Sequence, residues 1–482
     1  MSSPPPQGAR GRLIAGLTAA AAVSAASTWV VVHATWAAGP EIASIASSPL
    51  FLLGATLAFG ASVWALRLVE SSREAGSPLV FAVILAGAVI LRLVALPAPP
   101  GLSDDIYRYM WDGHVQAAGI DPYLHAPNAH ALDPLQTPYR ALINNPGLPT
   151  IYPPVSQIVF LLAALAGGSL LGLKTIFVLF DLGTIAALAA ILRHRGLPAS
   201  RVVIYAWSPL AVVEVAWSGH QDAVGVFLMT LGLLFLVKGR GWLAACAGTL
   251  SGAAKYIGWL LIPVAARQVR WMAWLPAAGA LLLVYLPYLR AGRGVTGSLR
   301  VYAEVWRFND SLFAMLAAAV EWLGLGAGAR RLLEAAGWVD PAAPWEGSPW
   351  LRLTDPLSVA KLCAALIFVA FAARVLRRPW SDPVRGLLAL VGSALLLSPT
   401  VHPWYLLWIA PLMALAPRAS WLWLTWAVLV FSYPMMAARL AGESGLDWLA
   451  WPEYLPFFLI LAIESARRRL WEMDGEGWSR IV

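Results

Sequence analysis

Charge is scarce in this chain. Asp, Glu, Lys and Arg make up only 12% of its 482 residues, about half of the roughly 25% that soluble domains carry. That scarcity excludes an ordinary soluble domain. Cysteine is nearly absent. Cys246 and Cys363 both lie in apolar stretches and read as buried thiols, silent about redox compartment. No Gly-rich turn of the kind that cradles a nucleotide follows a strand pattern, because the glycine-rich stretches lie inside apolar runs. A nucleotide-sugar Rossmann domain is therefore absent. No nucleic-acid motif is present, and no internal repeat of the kind common in transporters is visible.

What is abundant is apolar. Hydrophobic residues make up 59% of the chain, and the mean hydropathy is +0.68. Runs near 20 residues recur, each long enough to cross a bilayer. The sequence predicts an all-α polytopic membrane protein. Apolar runs cover 13–38, 48–69, 78–97, 153–172, 173–193, 201–218, 222–238, 242–266, 271–289, 311–328, 356–376, 384–400, 404–417, 420–437 and 452–466. Some are short, and charge parity reduces the expectation to about 11–13 spans. The first run follows Arg10 and Arg12 and is too long for a signal h-region, so it reads as a retained helix. The net charge of +8 fits Lys and Arg in cytoplasmic loops. Segment 242–266 needs an even number of crossings yet is one run. A helix broken near Lys255, beside Gly258 and Pro263, resolves it.

Three regions follow: N-terminal membrane helices over 1–97, a polar loop over 98–152, and a helical bundle over 153–482. The loop runs from Leu102-Ser103-Asp104-Asp105-Ile106-Tyr107-Arg108-Tyr109-Met110-Trp111-Asp112-Gly113-His114 through Asp121-Pro122-Tyr123 to Tyr152-Pro153-Pro154. Long loops without helix patterning are functional or disordered, and this one is too rich in aromatics for disorder. Positive charge places it outside, together with Gly219-His220-Gln221-Asp222, Lys255, the stretch 290–310 and His402-Pro403-Trp404-Tyr405. Scattered polar residues thus converge on one face. The 25 Trp suit interfacial belts, with a few free to stack on sugar rings.

Each cluster has a chemical and a structural reading. Asp104 or Asp105 can accept a proton from an attacking hydroxyl, or Ser103 and Asp104 can cap a short helix. Asp112-Gly113 is a turn or a sugar-hydroxyl contact. Asp121-Pro122 and Asn145-Pro146 mark turns. Asp104, Asp105, Asp112 and His114 form a conceivable metal set without established spacing. Lys255 meets an anionic ligand such as a lipid phosphate, or pairs with Glu214 or Asp222. Glu214 lies deeper, where it can pair with a buried cation. Asp222 could cap a helix. Arg290, Arg293, Arg300 and Arg307 break the positive-inside bias, which suits a phosphate headgroup or an ordinary solvated loop. His402 can hydrogen-bond a phosphate or a sugar hydroxyl, or form an interfacial turn.

Together, Ser103-Asp104-Asp105-Ile106-Tyr107-Arg108-Tyr109 through Trp111-Asp112-Gly113, Tyr152-Pro153-Pro154, Gly219-His220-Gln221-Asp222, Lys255 and His402-Pro403-Trp404-Tyr405 resemble the GT-C superfamily of polytopic glycosyltransferases. The likeness is nearer to bacterial polyprenol-phosphate-mannose-dependent α-mannosyltransferases. The resemblance implies a helix bundle whose first large external loop carries short juxtamembrane helices and an essential acid. Asp105 is the better-matched position and Asp104 the alternative. It implies inverting transfer of a hexose, with mannose favoured, from a polyprenyl-phosphate donor to a glycolipid or glycan acceptor outside the bacterial plasma membrane. Lys255, His402, Arg300 and Arg307 would meet the leaving phosphate. Tyr107, Asp112, Tyr152, His220, Asp222 and Trp404 would meet sugar or acceptor. No cofactor is implied, a monophosphate leaving group reduces the need for a divalent metal, and the partners are lipids and glycans rather than nucleic acid. A polysaccharide polymerase or ligase, which places its large loop late in the chain, and a lipid or solute transporter are the alternatives.

Overall fold

Prolines that punctuate the apolar runs set where helices begin. Pro49, Pro78, Pro154, Pro356 and Pro383 each open a helix, where the missing N–H has no intrahelical partner to lose. The computed structural model describes residues 8–34, 42–340, 349–377, 382–443 and 445–473. Residues 35–38 of the first apolar run lie outside them. Among the described residues the architecture is all-α, and the one extended pairing is an isolated parallel bridge between Phe308 and Thr400.

Eight of the described helices are long and apolar enough to cross a bilayer: Ala9–His33, Pro49–Glu70, Pro78–Ala95, Leu170–His194, Trp271–Ala291, Pro356–Arg377, Ala419–Leu440 and Asp447–Arg467. The count reaches 10 if Ala199–Ala206 with Pro209–Trp217, bent by 58°, and Leu312–Trp322 with Leu325–Ala335, bent by 56°, each cross once. The protein is an integral membrane protein, with fewer long spans than the 11–13 expected. The difference lies in apolar runs that fold as helices of 10–17 residues, among them Pro154–Leu165, Asp222–Val237, Pro383–Leu396 and Pro403–Leu415. At 1.5 Å per residue these fall short of a hydrocarbon core about 30 Å thick. Segment 153–193 accordingly holds one long helix, not two.

The break expected at Lys255 is present. The helix Gly241–Ala254 stops there, Lys255 is extended (φ −153°, ψ 129°), and the chain resumes as a 3-10 turn over Tyr256–Leu260 and a short helix over Leu261–Ala266.

The chain divides into two compact units, Met1–Ser298 with Pro403–Val482, and Leu299–His402. In the first unit the loop has its own small core of Trp111, Val115, Leu132 and Ile143, flanked by Tyr107, Ile120, Leu135 and Tyr139. The Arg140 guanidinium lies over the Trp111 ring at 5.2 Å. The proline-rich lead-in to the loop is pinned by two donors. Lys174 Nζ reaches the Ala98 carbonyl at 2.7 Å, and Trp217 Nε1 reaches the Pro99 carbonyl at 2.7 Å. The loop helix Asp105–Ala117 lies against Pro154–Leu165, where a side chain at Gly113 would collide with the Phe160 carbonyl. Asp112-Gly113 is therefore a close helix crossing, not a turn.

In the second unit Phe313 and Val320 pack on Ala360 and Ala364, joining Leu312–Trp322 to Pro356–Arg377. Phe308 is tied to the 399–401 segment by backbone bonds. Cys246 and Cys363 are free and half-buried rather than buried.

Candidate active site

The loop helix begins at Asp105, and the Ser103 hydroxyl accepts the Asp105 N–H at 3.3 Å. Asp104 occupies the cap position but makes no capping bond with its side chain. Both carboxylates turn instead to one amide. Asn144 Nδ2 donates to Asp104 Oδ1 at 2.6 Å and to Asp105 Oδ1 at 2.8 Å. The Tyr109 hydroxyl, one turn along the helix, donates to Asp105 Oδ2 at 3.4 Å. The Asp105 side chain is 19% exposed.

Burial raises both acids. Asp104 rises by burial against the opposing Asn144 bond. Asp105 is pushed up to about 6, first by burial and then by the neighbouring Asp104 charge, while Asn144 and the Lys255 charge pull it down. Desolvation and a like charge both disfavour the ionised form. A carboxyl tuned near neutrality, partly open to solvent, is equipped for proton transfer.

Behind Asp105 stands His220, whose turn requires Gly219 at φ +76°. A side chain there would run into Ile106 of the loop helix. The His220 ring has no exposure. Its Nδ1 lies 3.9 Å from Asp105 Oδ2 and its Nε2 lies 3.4 Å from Glu214 Oε2. Trp404 stacks on it with ring centroids 4.1 Å apart. Glu214, also fully buried, has the Tyr433 hydroxyl at 2.8 and 2.9 Å from its two oxygens. The cation expected near Glu214 is thus replaced by an imidazole and a phenol.

Asp222 and Lys255 form a second polar centre. Lys255 Nζ donates to Asp222 Oδ2 at 2.6 Å, and Trp408 Nε1 donates to Asp222 Oδ1 at 2.8 Å. The ammonium lies over the Tyr405 ring at 4.7 Å. Asp222 is fully buried and Lys255 is 20% exposed. Both Asp222 oxygens thus have a partner, and of the two readings of Lys255 the geometry shows the ion pair, with part of the cation still open.

Asp112 is also internal. It is 1% exposed, ion-paired with Arg108 at 2.8 Å, and accepts from Gln157 Nε2 at 2.9 Å. Gln157 in turn bonds Thr150 and Gln116, and Tyr288 bonds Gln116. This network holds the loop helix on Pro154–Leu165 and gives each Asp112 oxygen a partner. Tyr107 packs on the loop core. The Tyr152 ring meets the Tyr109 ring edge-on at 4.8 Å, and its carbonyl accepts the Tyr123 hydroxyl at 2.6 Å. Asp121 Oδ1 accepts the Tyr123 N–H at 2.9 Å and Asn145 takes φ +46°, so both proline-flanked positions are turns. Among the described residues no group of three His, Cys, Asp or Glu side chains gathers as a metal set.

Arg300, Arg307 and His402 belong to the second unit. Arg300 pairs with Glu304 at 2.9 Å and Arg307 with Asp310 at 2.7 Å, both exposed arginines. The His402 ring stacks on Phe308 at 5.2 Å, which places it next to the Arg307 segment. Arg290 and Arg293 are exposed.

Residues that the sequence did not single out complete the two centres: Asn144 and Tyr433 the first, and Trp408 the second. Asn144 stood beside a proline-marked turn, which hid it. Tyr433 and Trp408 sit inside apolar runs and carry no local mark.

Comparison with known proteins covers both centres. The model for the N-terminal domain of alpha-(1->6)-mannopyranosyltransferases matches residues 8–273, which contain Asp104, Asp105, Asn144, Glu214, His220, Asp222 and Lys255. The model for the MptB C-terminal domain matches residues 342–464, which contain Trp404, Trp408 and Tyr433. A probable alpha-(1->6)-mannopyranosyltransferase of Mycolicibacterium smegmatis is 24% identical over 380 residues, covering 68% of this chain and 63% of that protein. An alpha-(1->6)-mannopyranosyltransferase of Mycobacterium tuberculosis is 25% identical over 400 residues, covering 68% of this chain and 64% of that protein. The chain thus spans just under two thirds of the length of the curated relatives it matches.

Proposed function

We propose, for a chain that belongs to the alpha-(1->6)-mannopyranosyltransferase family, that it moves a mannosyl residue from a polyprenyl-phosphate donor to a hydroxyl of a glycolipid or glycan, outside the bacterial plasma membrane. The observation that carries this reading is Asp105: a carboxyl at the start of a folded loop, held by Asn144 and Tyr109, part-open to solvent and raised to about 6.

The mechanism is a single displacement. An acceptor hydroxyl attacks the anomeric carbon, the bond to the phosphate oxygen breaks, and the phosphate monoester leaves with the electron pair. Asp105 receives the hydroxyl proton. One displacement inverts the anomeric centre, so an alpha product requires a beta-linked donor. The open part of Lys255 supplies positive charge toward the leaving phosphate. His220 serves the site from behind Asp105 rather than by touching sugar. Trp404, stacked on it, supports that ring. Tyr107 and Tyr152 remain proposed sugar or acceptor contacts.

The test uses proteoliposomes carrying wild type, Asp104→Asn or Asp105→Asn, supplied with labelled polyprenyl-phosphate mannose or with GDP-mannose. The expected result is transfer from the lipid donor alone, lost in Asp105→Asn at unchanged expression. Loss in Asp104→Asn instead would move the base by one residue. Absence of transfer from any polyprenyl-phosphate sugar by the wild type would refute the reading.

A further inference from the structure

We infer that His220, clamped on Glu214, is a positioning residue that acts through Asp105 and takes over the proton Asp105 removes from the acceptor. The inference rests on the reading of Asp105 as the base.

Four observations carry it. His220 spans two carboxylates with its two ring nitrogens, Nδ1 toward Asp105 at 3.9 Å and Nε2 toward Glu214 at 3.4 Å, and the ring has no exposure. It is oriented twice by the same element, since its own N–H donates to the Glu214 carbonyl at 2.8 Å while its ring faces the Glu214 carboxylate. Trp404 then fixes the ring plane, with 17° between the two rings. Glu214 is fully buried in an otherwise apolar helix. A carboxyl in such a place is costly unless a partner shares its charge or proton, and an apolar residue would pack there more cheaply. Other charged and titratable groups at this centre are Asp104 beside Asp105, Tyr433 on Glu214, and the Asp222–Lys255 pair, whose charges act on Asp105 in opposite directions. The Lys174 stem runs beside Gly219, and its ammonium is bound to the Ala98 carbonyl.

The proton balance is simple. The acceptor oxygen bonds to the anomeric carbon as the phosphate leaves with its electron pair. The hydroxyl proton goes to Asp105 Oδ2 and then to His220 Nδ1, while Nε2–H stays directed at Glu214 Oε2, 3.4 Å away. Because the ring is buried and Asp105 is part-open to solvent, the proton leaves by the same path, back through Asp105 to bulk water, before the next turnover. The 3.9 Å gap is longer than a hydrogen bond, as is common in unliganded sites that tighten on binding substrate.

The experiment measures kcat and KM of wild type, His220→Ala, His220→Gln and Glu214→Gln in proteoliposomes with polyprenyl-phosphate mannose, between pH 5 and 9. The expected result is a kcat lower by about 10- to 100-fold with KM held within about two-fold. Imidazole added to His220→Ala should restore several-fold of the lost rate, which a purely structural ring would not allow. Unchanged kcat and pH profiles in both His220→Gln and Glu214→Gln would overturn the inference, as would a rise in KM alone. If His220→Ala does not fold, the near-isosteric Glu214→Gln and Tyr433→Phe decide by the same kcat criterion. Full activity in Asp105→Asn would remove Asp105 as the base, and this inference with it, while leaving the transfer itself to the wild-type assay. An inactive Asp105→Asn beside unaffected His220→Gln and Glu214→Gln would remove the inference alone.

Discussion

Lys255 and Asp222 meet at 2.6 Å across a 33-residue separation, with the carboxylate fully buried and its other oxygen held by Trp408. The helix break at Lys255 delivers the ammonium to the carboxylate. Removal of one member of such a pair strands the other charge, which costs more than the pair itself contributes.

Lys255→Ala should therefore destabilise the protein by about 3–5 kcal/mol, read as a lower thermal midpoint in detergent. The double variant Lys255→Met with Asp222→Asn should recover most of that loss. A single variant as stable as wild type would show that the pair contributes little to folding.

Asp105→Asn should separate activity from stability. As the proton acceptor, Asp105 supports a rate contribution of about 10²–10⁴-fold, so transfer should fall by that factor. Its folded pKa, raised to about 6 by burial and Asp104, means the folded state holds this proton more tightly than the unfolded one. The stability this contributes is complete below the ordinary value of 3.8 and is lost as pH rises through about 6. At pH 7 the ionised carboxylate opposes folding by at most about 3 kcal/mol. The thermal midpoint of Asp105→Asn at pH 7 should then equal or exceed that of wild type; a clear drop would contradict it.

The pH dependence of kcat/KM should show an acid limb near 6, because Asp105 must be ionised to accept a proton. Asn144 hydrogen bonds favour that ionised form. Asn144→Ala should therefore shift the limb to higher pH and slow transfer more at pH 6 than at pH 8. A limb that moves to lower pH would reverse the role assigned to Asn144.

Gly219→Ala should cost about 1–3 kcal/mol and reduce transfer. The position combines φ +76° with contact against Ile106. Adding Ile106→Val relieves crowding but not the backbone, so recovery in the thermal midpoint should be partial; full recovery would show that space alone matters.

Hydropathy sufficed to identify a polytopic all-α membrane protein, because a bilayer imposes apolar runs that need no partner to be read. The Lys255 break was legible for the same reason: one charge beside Gly258 and Pro263 interrupts such a run. The Asp104-Asp105 pair was visible as carboxylates in an aromatic loop. What the pairs do to one another was not. Asn144 reaches Asp105 over 39 residues, and Tyr433 reaches Glu214 over 219. No periodicity encodes such distances. Asp112 and Asp222 looked as available as Asp105 in the sequence, yet Arg108 with Gln157 and Lys255 with Trp408 occupy them. Chain order and residue chemistry thus determined the class of the protein and its stock of acids. Burial and long-range hydrogen bonding, which exist only once the helices pack, decided which acid stays open and carries a pKa near neutrality.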